Sequence, residues 1–275
     1  MIDVGQYSCG DLFGIETVNT PEIPLMNLRF VKKHHFEDDK GYGIYFFRFN
    51  DELLYAGSYC GSSGVAKDRW WTHLASITCR FQETNFTNLN SKKDPKLQDL
   101  LADCNREQIH ELLERSKTNF REVYIEVFDN KDFFDDVASK LLSITPTSSK
   151  QTLQHLLGNG SCSTFQRRVK VANDRWDQFK KLSASDIATK FSFQYIRIRE
   201  GQYQNPLFQF LQSTTEPTKN KRRLVQSFIE DRVIENLKPP ANKLKKPIDG
   251  TGFQESVIES ALYFVDECIA LGKKF

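Results

Sequence analysis

Two short runs in which nearly every position is aromatic or aliphatic, GIYFFRF (43–49) and LLYAG (53–57), flank Asn50 and Asp51 and predict a β-hairpin. A Gly/Ser segment, CGSSG, follows. From Ala66 to Thr78 the period changes. Trp70, Leu74 and Ile77 recur at helical spacing, with Arg69, His73 and Ser76 on a neighbouring stripe, which predicts an amphipathic helix. FSFQYIRI (191–198) reads as another strand, and the segment from Lys221 to Leu237 as a helix stopped by Pro239 and Pro240. The last periodic stretch, FQESVIESALYFVDECIALG, is a long amphipathic helix whose Val257, Ile258, Ala261, Leu262, Val265 and Ile269 need a surface to pack on, the core in preference to a second copy. Residues 1–42 form an N-terminal arm with Pro21 and Pro24, ending in the charged loop KKHHFEDDK. Residues 79–190 read as a mainly helical insertion, with helices near 96–116, 132–143, 150–157 and 165–181 and one strand at 121–128.

The 275 residues, 39% apolar and 27% charged, suffice for a hydrophobic core, and this composition excludes a largely disordered chain. No stretch approaches the roughly 20 apolar residues of a membrane helix. The opening MIDVGQYSCGDLF lacks the order of a signal peptide, so the expectation is a cytoplasmic protein with no membrane partner. Cys9, Cys60, Cys79, Cys104, Cys162 and Cys268 are scattered without zinc-site spacing and read as free, mostly buried thiols. A net charge of +2 does not by itself imply a nucleic-acid partner, because counterion release needs local basic surface. Such clusters exist at Arg167, Arg168 and Lys170, at Lys219, Lys221, Arg222 and Arg223, and at Lys243, Lys245 and Lys246, each also readable as a solvated face.

Gly43-Ile44-Tyr45, ten residues before Tyr55-Ala56-Gly57, then Arg69 and His73 in KDRWWTHL and Glu230 twelve residues before Asn242 in IEDRVIENLKPPANK, resembles the GIY-YIG nuclease superfamily. The resemblance covers residues 43–78 and 191–245, and the second motif reads Tyr-Ala-Gly where the family has Tyr-Ile-Gly. It implies an α+β fold: a small, mainly antiparallel three-stranded sheet flanked by helices, with a largely helical insertion at 79–190 and a C-terminal helix at 246–275. It also implies one active site assembled from Tyr45, Tyr55, Arg69, His73, Glu230 and Asn242.

These residue types make chemical sense together. Strand residues alternate faces, so a loop of residues 49–51 sets Tyr45 opposite Tyr55, whereas a two-residue loop at Asn50 and Asp51 sends them to opposite faces; the odd-length loop is expected. Arg69 and His73, four apart on a helix, project together with about 6 Å between Cβ atoms, suited to gripping one phosphate. A guanidinium offers a permanent forked donor to developing phosphate charge, and an imidazole moves protons near neutral pH. Glu230 lies among Val233, Ile234 and Leu237, and a carboxylate on an apolar side must be neutralised, paired with an Arg or Lys, or bound to a cation. Mg²⁺ or Mn²⁺, one ion per site at Glu230, answers that need. Asp231 and Glu235 are expected on the solvent side of the same helix, and Asn242 is read as a support for the loop.

By resemblance, water attacks phosphorus, Tyr45 is the general base, Arg69 steadies the transition state and the metal supports the leaving oxygen. For Tyr45 to act at neutral pH, its phenol must be lowered by the cation, Arg69 and His73. Lys67, Arg167, Arg168, Arg222 and Arg223 are candidate DNA contacts, and Trp176 and Phe179 in the insertion suit either target recognition or packing. The function expected is DNA phosphodiester hydrolysis by a restriction or phage-defence endonuclease. A repair or mobile-element nicking nuclease and a catalytically inactive nucleic-acid-binding module stand as alternatives. A double-strand cut at a palindrome would usually imply two active sites, hence a homodimer, and no small-molecule cofactor is expected.

Overall fold

The computed structural model describes residues 2–17, 26–31, 40–61, 64–81, 130–133, 136, 163–198, 205–212 and 216–274. In chain order its elements are β1 (Ile2–Ser8), α1 (Cys9–Leu12), β2 (Phe13–Thr17), β3 (Met26–Phe30), β4 (Gly43–Phe49) and β5 (Glu52–Tyr59). A π-helical turn, Ala66–Trp70, runs into α2 (Trp71–Thr78). Then come α3 (Lys131–Phe133), α4 (Ser163–Asp174), α5 (Trp176–Phe179), α6 (Ala184–Lys190), β6 (Phe191–Ile198), α7 (Pro206–Gln212), α8 (Glu216–Leu237) and α9 (Glu255–Lys273). The helices expected at 96–116 and 150–157, the strand at 121–128 and most of the helix at 132–143 lie outside the described residues.

The fold is mixed α+β. The chain divides into two compact units, one of Met1–Gly14, Arg29–Trp71 and Ser185–Phe275, the other of Ile15–Leu28 and Thr72–Ala184. The first is built on an antiparallel sheet of order β1-β6-β4-β5. It has four strands where three were expected, because residues 2–8 of the arm pair with β6 from Ile2 opposite Ile198 to Ser8 opposite Ser192. A separate two-stranded sheet pairs β2 with β3.

Strand alternation gives this sheet two unlike faces. One carries Ile44, Phe46, Ala56, Ile196 and Ile198, which join Leu207, Val225, Phe228, Val233, Val257 and Val265 from α7, α8 and α9 in one apolar core. The terminal helix therefore packs inward as expected, with one correction: Leu262 is exposed together with Tyr263. Gly272 lets the end of α9 approach, since a Cβ there would stand 2.5 Å from Leu237 and 3.2 Å from Phe46. Buried Arg48 ties the hairpin turn to that end, donating from Nη1 to the Asp51 carbonyl at 2.9 Å and from Nη2 to the Gly272 carbonyl at 2.7 Å.

The other face is aromatic. Trp70 stacks on Phe193 at 4.8 Å between centroids and meets Tyr7 at 5.8 Å, while Phe47 meets Phe193 at 4.9 Å. In the second unit Val169, Ala172, Trp176 and Phe179 are buried, Trp176 donates to Asp136 at 2.7 Å, and the buried Arg80 guanidinium donates to the Phe179 carbonyl at 2.5 Å. The thiols of Cys9, Cys79 and Cys268 are buried and that of Cys60 is exposed.

Candidate functional site

The hairpin joins its strands through Asn50 and Asp51 alone, both with positive φ (45° and 66°), the geometry of a two-residue type I′ turn. Side chains of Asn and Asp tolerate this left-handed region better than most. The expected odd-length loop is thus corrected, and an unbroken ladder from this turn would put Tyr45 and Tyr55 on opposite faces. A bulge prevents that. Phe49 pairs with Glu52 and Arg48 with Leu53, but Phe47 pairs with Tyr55, so Leu54 is an extra residue and the register shifts by one. Beyond the bulge Tyr45 faces Gly57, Tyr55 is its diagonal neighbour on the same face, and their rings stack at 5.9 Å with 30° between planes. The Tyr45 ring lies over Gly57, whose Cβ, if present, would be 2.5 Å from Tyr45 Oη.

Glu230 arrives from the opposite face. It sits on α8, between buried Ile229 and Val233 of the aliphatic core, and its Oε2 accepts a hydrogen bond from the Ser58 hydroxyl. The Ser58 backbone N–H also reaches the carboxylate. Burial, with Asp231 next to it, holds the Glu230 carboxyl above the ordinary carboxylate range, while Ser58 and Lys245 pull it down. The phenols on one face and the carboxylate from the other meet at β5, an edge strand, where Gly57 interposes no side chain. They are close enough for Glu230 to act on Tyr45: burial first, then Tyr55, then Glu230 push the Tyr45 phenol well above its ordinary value, and Arg69 opposes them. A hydrogen bond to Tyr55 raises it further. The requirement that the protein's own cations lower this phenol is therefore not met.

Arg69 lies on the π-helical turn, exposed, with Nη1 donating to the Asp68 carbonyl at 3.0 Å. The turn is anchored to β5 by the Tyr59 hydroxyl, which donates to Asp68 Oδ2 at 2.6 Å. Lys67 beside it is exposed. His73, one turn further, belongs to the second unit, where it is buried and its Nδ1 contacts the Arg168 guanidinium. Arg168 is thus engaged within the protein, as is Arg222, which donates to Tyr42 Oη and the Leu211 carbonyl, each at 3.3 Å. Arg223 is exposed and Arg167 half-buried. Trp176 and Phe179 are buried and support packing over base contact.

Asn242 is a clamp. Just past the Pro-Pro break its Oδ1 accepts from the Ala56 N–H at 2.8 Å and its Nδ2 donates to the Ala56 carbonyl at 2.7 Å, while Ala241 N–H reaches the Leu54 carbonyl at 2.9 Å. The open edge of β5 is thereby satisfied at Leu54 and Ala56, on either side of Tyr55.

Three features escaped the sequence reading: the Leu54 bulge, the Ser58 bonds to Glu230, and Asp231, which is buried (8% exposed) instead of facing solvent. Ser58 had a usable signal, since it follows the Tyr-Ala-Gly motif directly. Among the described residues no group of three or more His, Cys, Asp or Glu side chains converges on a metal position. A site with one carboxylate is nonetheless compatible with Mg²⁺, which commonly keeps water and substrate phosphate as its other ligands. Glu230 fits that role, since a cation would offset the desolvation that holds its carboxyl above the ordinary range despite Ser58 and Lys245. No family model, curated protein or solved structure matches the chain.

Proposed function

We propose that this chain is a metal-dependent endonuclease of the GIY-YIG type that hydrolyses DNA phosphodiester bonds, in the setting of restriction or phage defence. The observation that supports the reading is the stacked Tyr45–Tyr55 pair with Arg69 and Glu230 both acting electrostatically on the Tyr45 hydroxyl. Two phenols, a guanidinium and a carboxylate around one small volume suit an in-line attack on a phosphodiester. Arg69 neutralises developing charge on the non-bridging oxygens. Tyr45 and Tyr55, as a hydrogen-bonded pair, orient the attacking water. To accept that water's proton Tyr45 must first be ionised, which its burial opposes, so it requires positive charge beyond Arg69. Glu230 would hold a divalent ion, whose chemistry would be to supply such charge and to stabilise the leaving oxygen. His73 is assigned no step; its Nδ1 faces Arg168.

The test is incubation of purified protein with plasmid and mixed oligonucleotides in Mg²⁺ or in chelator. Discrete fragments in Mg²⁺ alone are expected, and Tyr45→Phe should lower the single-turnover rate about 10²- to 10⁴-fold. Wild-type cleavage by Tyr45→Phe refutes the assignment of that residue. Tight binding without cutting favours the inactive module.

A further inference from the structure

Of the three basic clusters in the sequence, the fold brings one directly to the edge of β5. We propose that residues 243–246, Lys-Leu-Lys-Lys, form a fixed rail that binds the phosphate backbone of the nucleic-acid strand entering the site, a proposal that rests on the nuclease reading above. All four side chains are exposed, Leu244 among them at 56%. The segment is not part of a helix or strand, yet both ends are pinned. Upstream, Ala241 and Asn242 bond to Leu54 and Ala56, on either side of Tyr55. Downstream, Arg232 on α8 donates to the Ile248 carbonyl at 2.7 Å while its guanidinium lies 3.7 Å from the Phe228 ring centroid. The same helix carries Glu230, and Lys245 is near enough to act on both Glu230 and Asp231.

A backbone anchored at two points need not be ordered anew when a ligand binds, so the ordering cost falls on the lysine side chains alone. Its chemistry is that of backbone recognition: lysine ammonium groups bind phosphate as compact point charges, and carry no base information.

The experiment compares the full-length wild type with the Lys243→Ala, Lys245→Ala, Lys246→Ala triple variant. Binding to a fluorescent duplex of about 20 base pairs is followed by anisotropy in chelator from about 50 to about 200 mM salt. Each phosphate contact contributes about 0.9 to the slope of log affinity against log salt, so the triple variant should lose about 2 to 3 in slope. The corresponding triple arginine variant should retain it, and Lys273→Ala with Lys274→Ala, exposed lysines at the end of α9, should leave it unchanged. Coincident melting curves check that the exposed substitutions preserve the fold. A triple alanine variant with the wild-type slope, in a protein that still cleaves DNA in Mg²⁺, overturns the rail and leaves the nuclease reading standing. A wild type that neither binds nor cleaves overturns both.

Discussion

Replacement of Asn242 by alanine removes one side chain and leaves two backbone groups without partners. The Ala56 N–H and carbonyl point away from β4 along the open edge of the sheet, and both of their bonds to the Asn242 amide, 2.8 and 2.7 Å long, are buried. A buried backbone group that loses its partner costs about 1–3 kcal/mol, so the pair costs about 2–6 kcal/mol, nearer the lower figure where water enters the space vacated by the amide. Against a total stability of about 5–15 kcal/mol the variant should fold, with a urea midpoint lower by about 1 M if the slope is about 2–3 kcal/mol per M. Hydrogen exchange adds a local readout. The Ala56 amide should lose protection, while amides at the centre of the sheet, such as Tyr195, should change only with global stability. An unchanged midpoint together with unchanged protection at Ala56 would refute the clamp. A variant that keeps its stability but not its cleavage would place Asn242 in contact with substrate instead.

Glu230→Gln reads the cost of the half-buried carboxylate. The folded-state pKa of Glu230 is raised, so the folded chain holds its proton more tightly than the unfolded chain does near its usual 4.5. Stability from this group therefore increases as pH falls through the raised folded-state value, and above it the charge is a net burden. Without metal at pH 7 the glutamine variant should melt no lower than wild type, with the difference shrinking toward acid pH, and Mg²⁺ should stabilise wild type alone; a variant that melts lower at pH 7 contradicts the argument. Gly57→Ala would place a Cβ 2.5 to 3.0 Å from three atoms of Tyr45, displacing its hydroxyl from the site. Displacements of that order cost about 10²-fold in rate, so single-turnover cleavage at the wild-type rate would show that Tyr45 need not lie over Gly57.

Element type was legible along this chain wherever the apolar pattern had a clear period. The hairpin strands, β6, α8 and α9 appear where aromatic and aliphatic spacing put them, because those periods reflect burial on one face of a strand or helix. The grouping of Tyr45, Tyr55, Arg69 and Glu230 was also legible as a motif order, while its geometry was not. The expected odd-length loop gave way to the two-residue Asn50-Asp51 turn; the side on which Tyr55 emerges depends on Leu54 being left unpaired, and that is settled by how β5 packs between β4 and the segment holding its edge. Burial of Asp231 and exposure of Leu262 likewise depart from the helical wheel, since a wheel assumes one contact direction and α8 and α9 each touch more than one neighbour. The ionisation of Tyr45 lies furthest from the sequence. It is the balance of desolvation, a second phenol, a carboxylate from the far side of the sheet and one guanidinium, groups up to 185 positions apart that only the folded chain brings together.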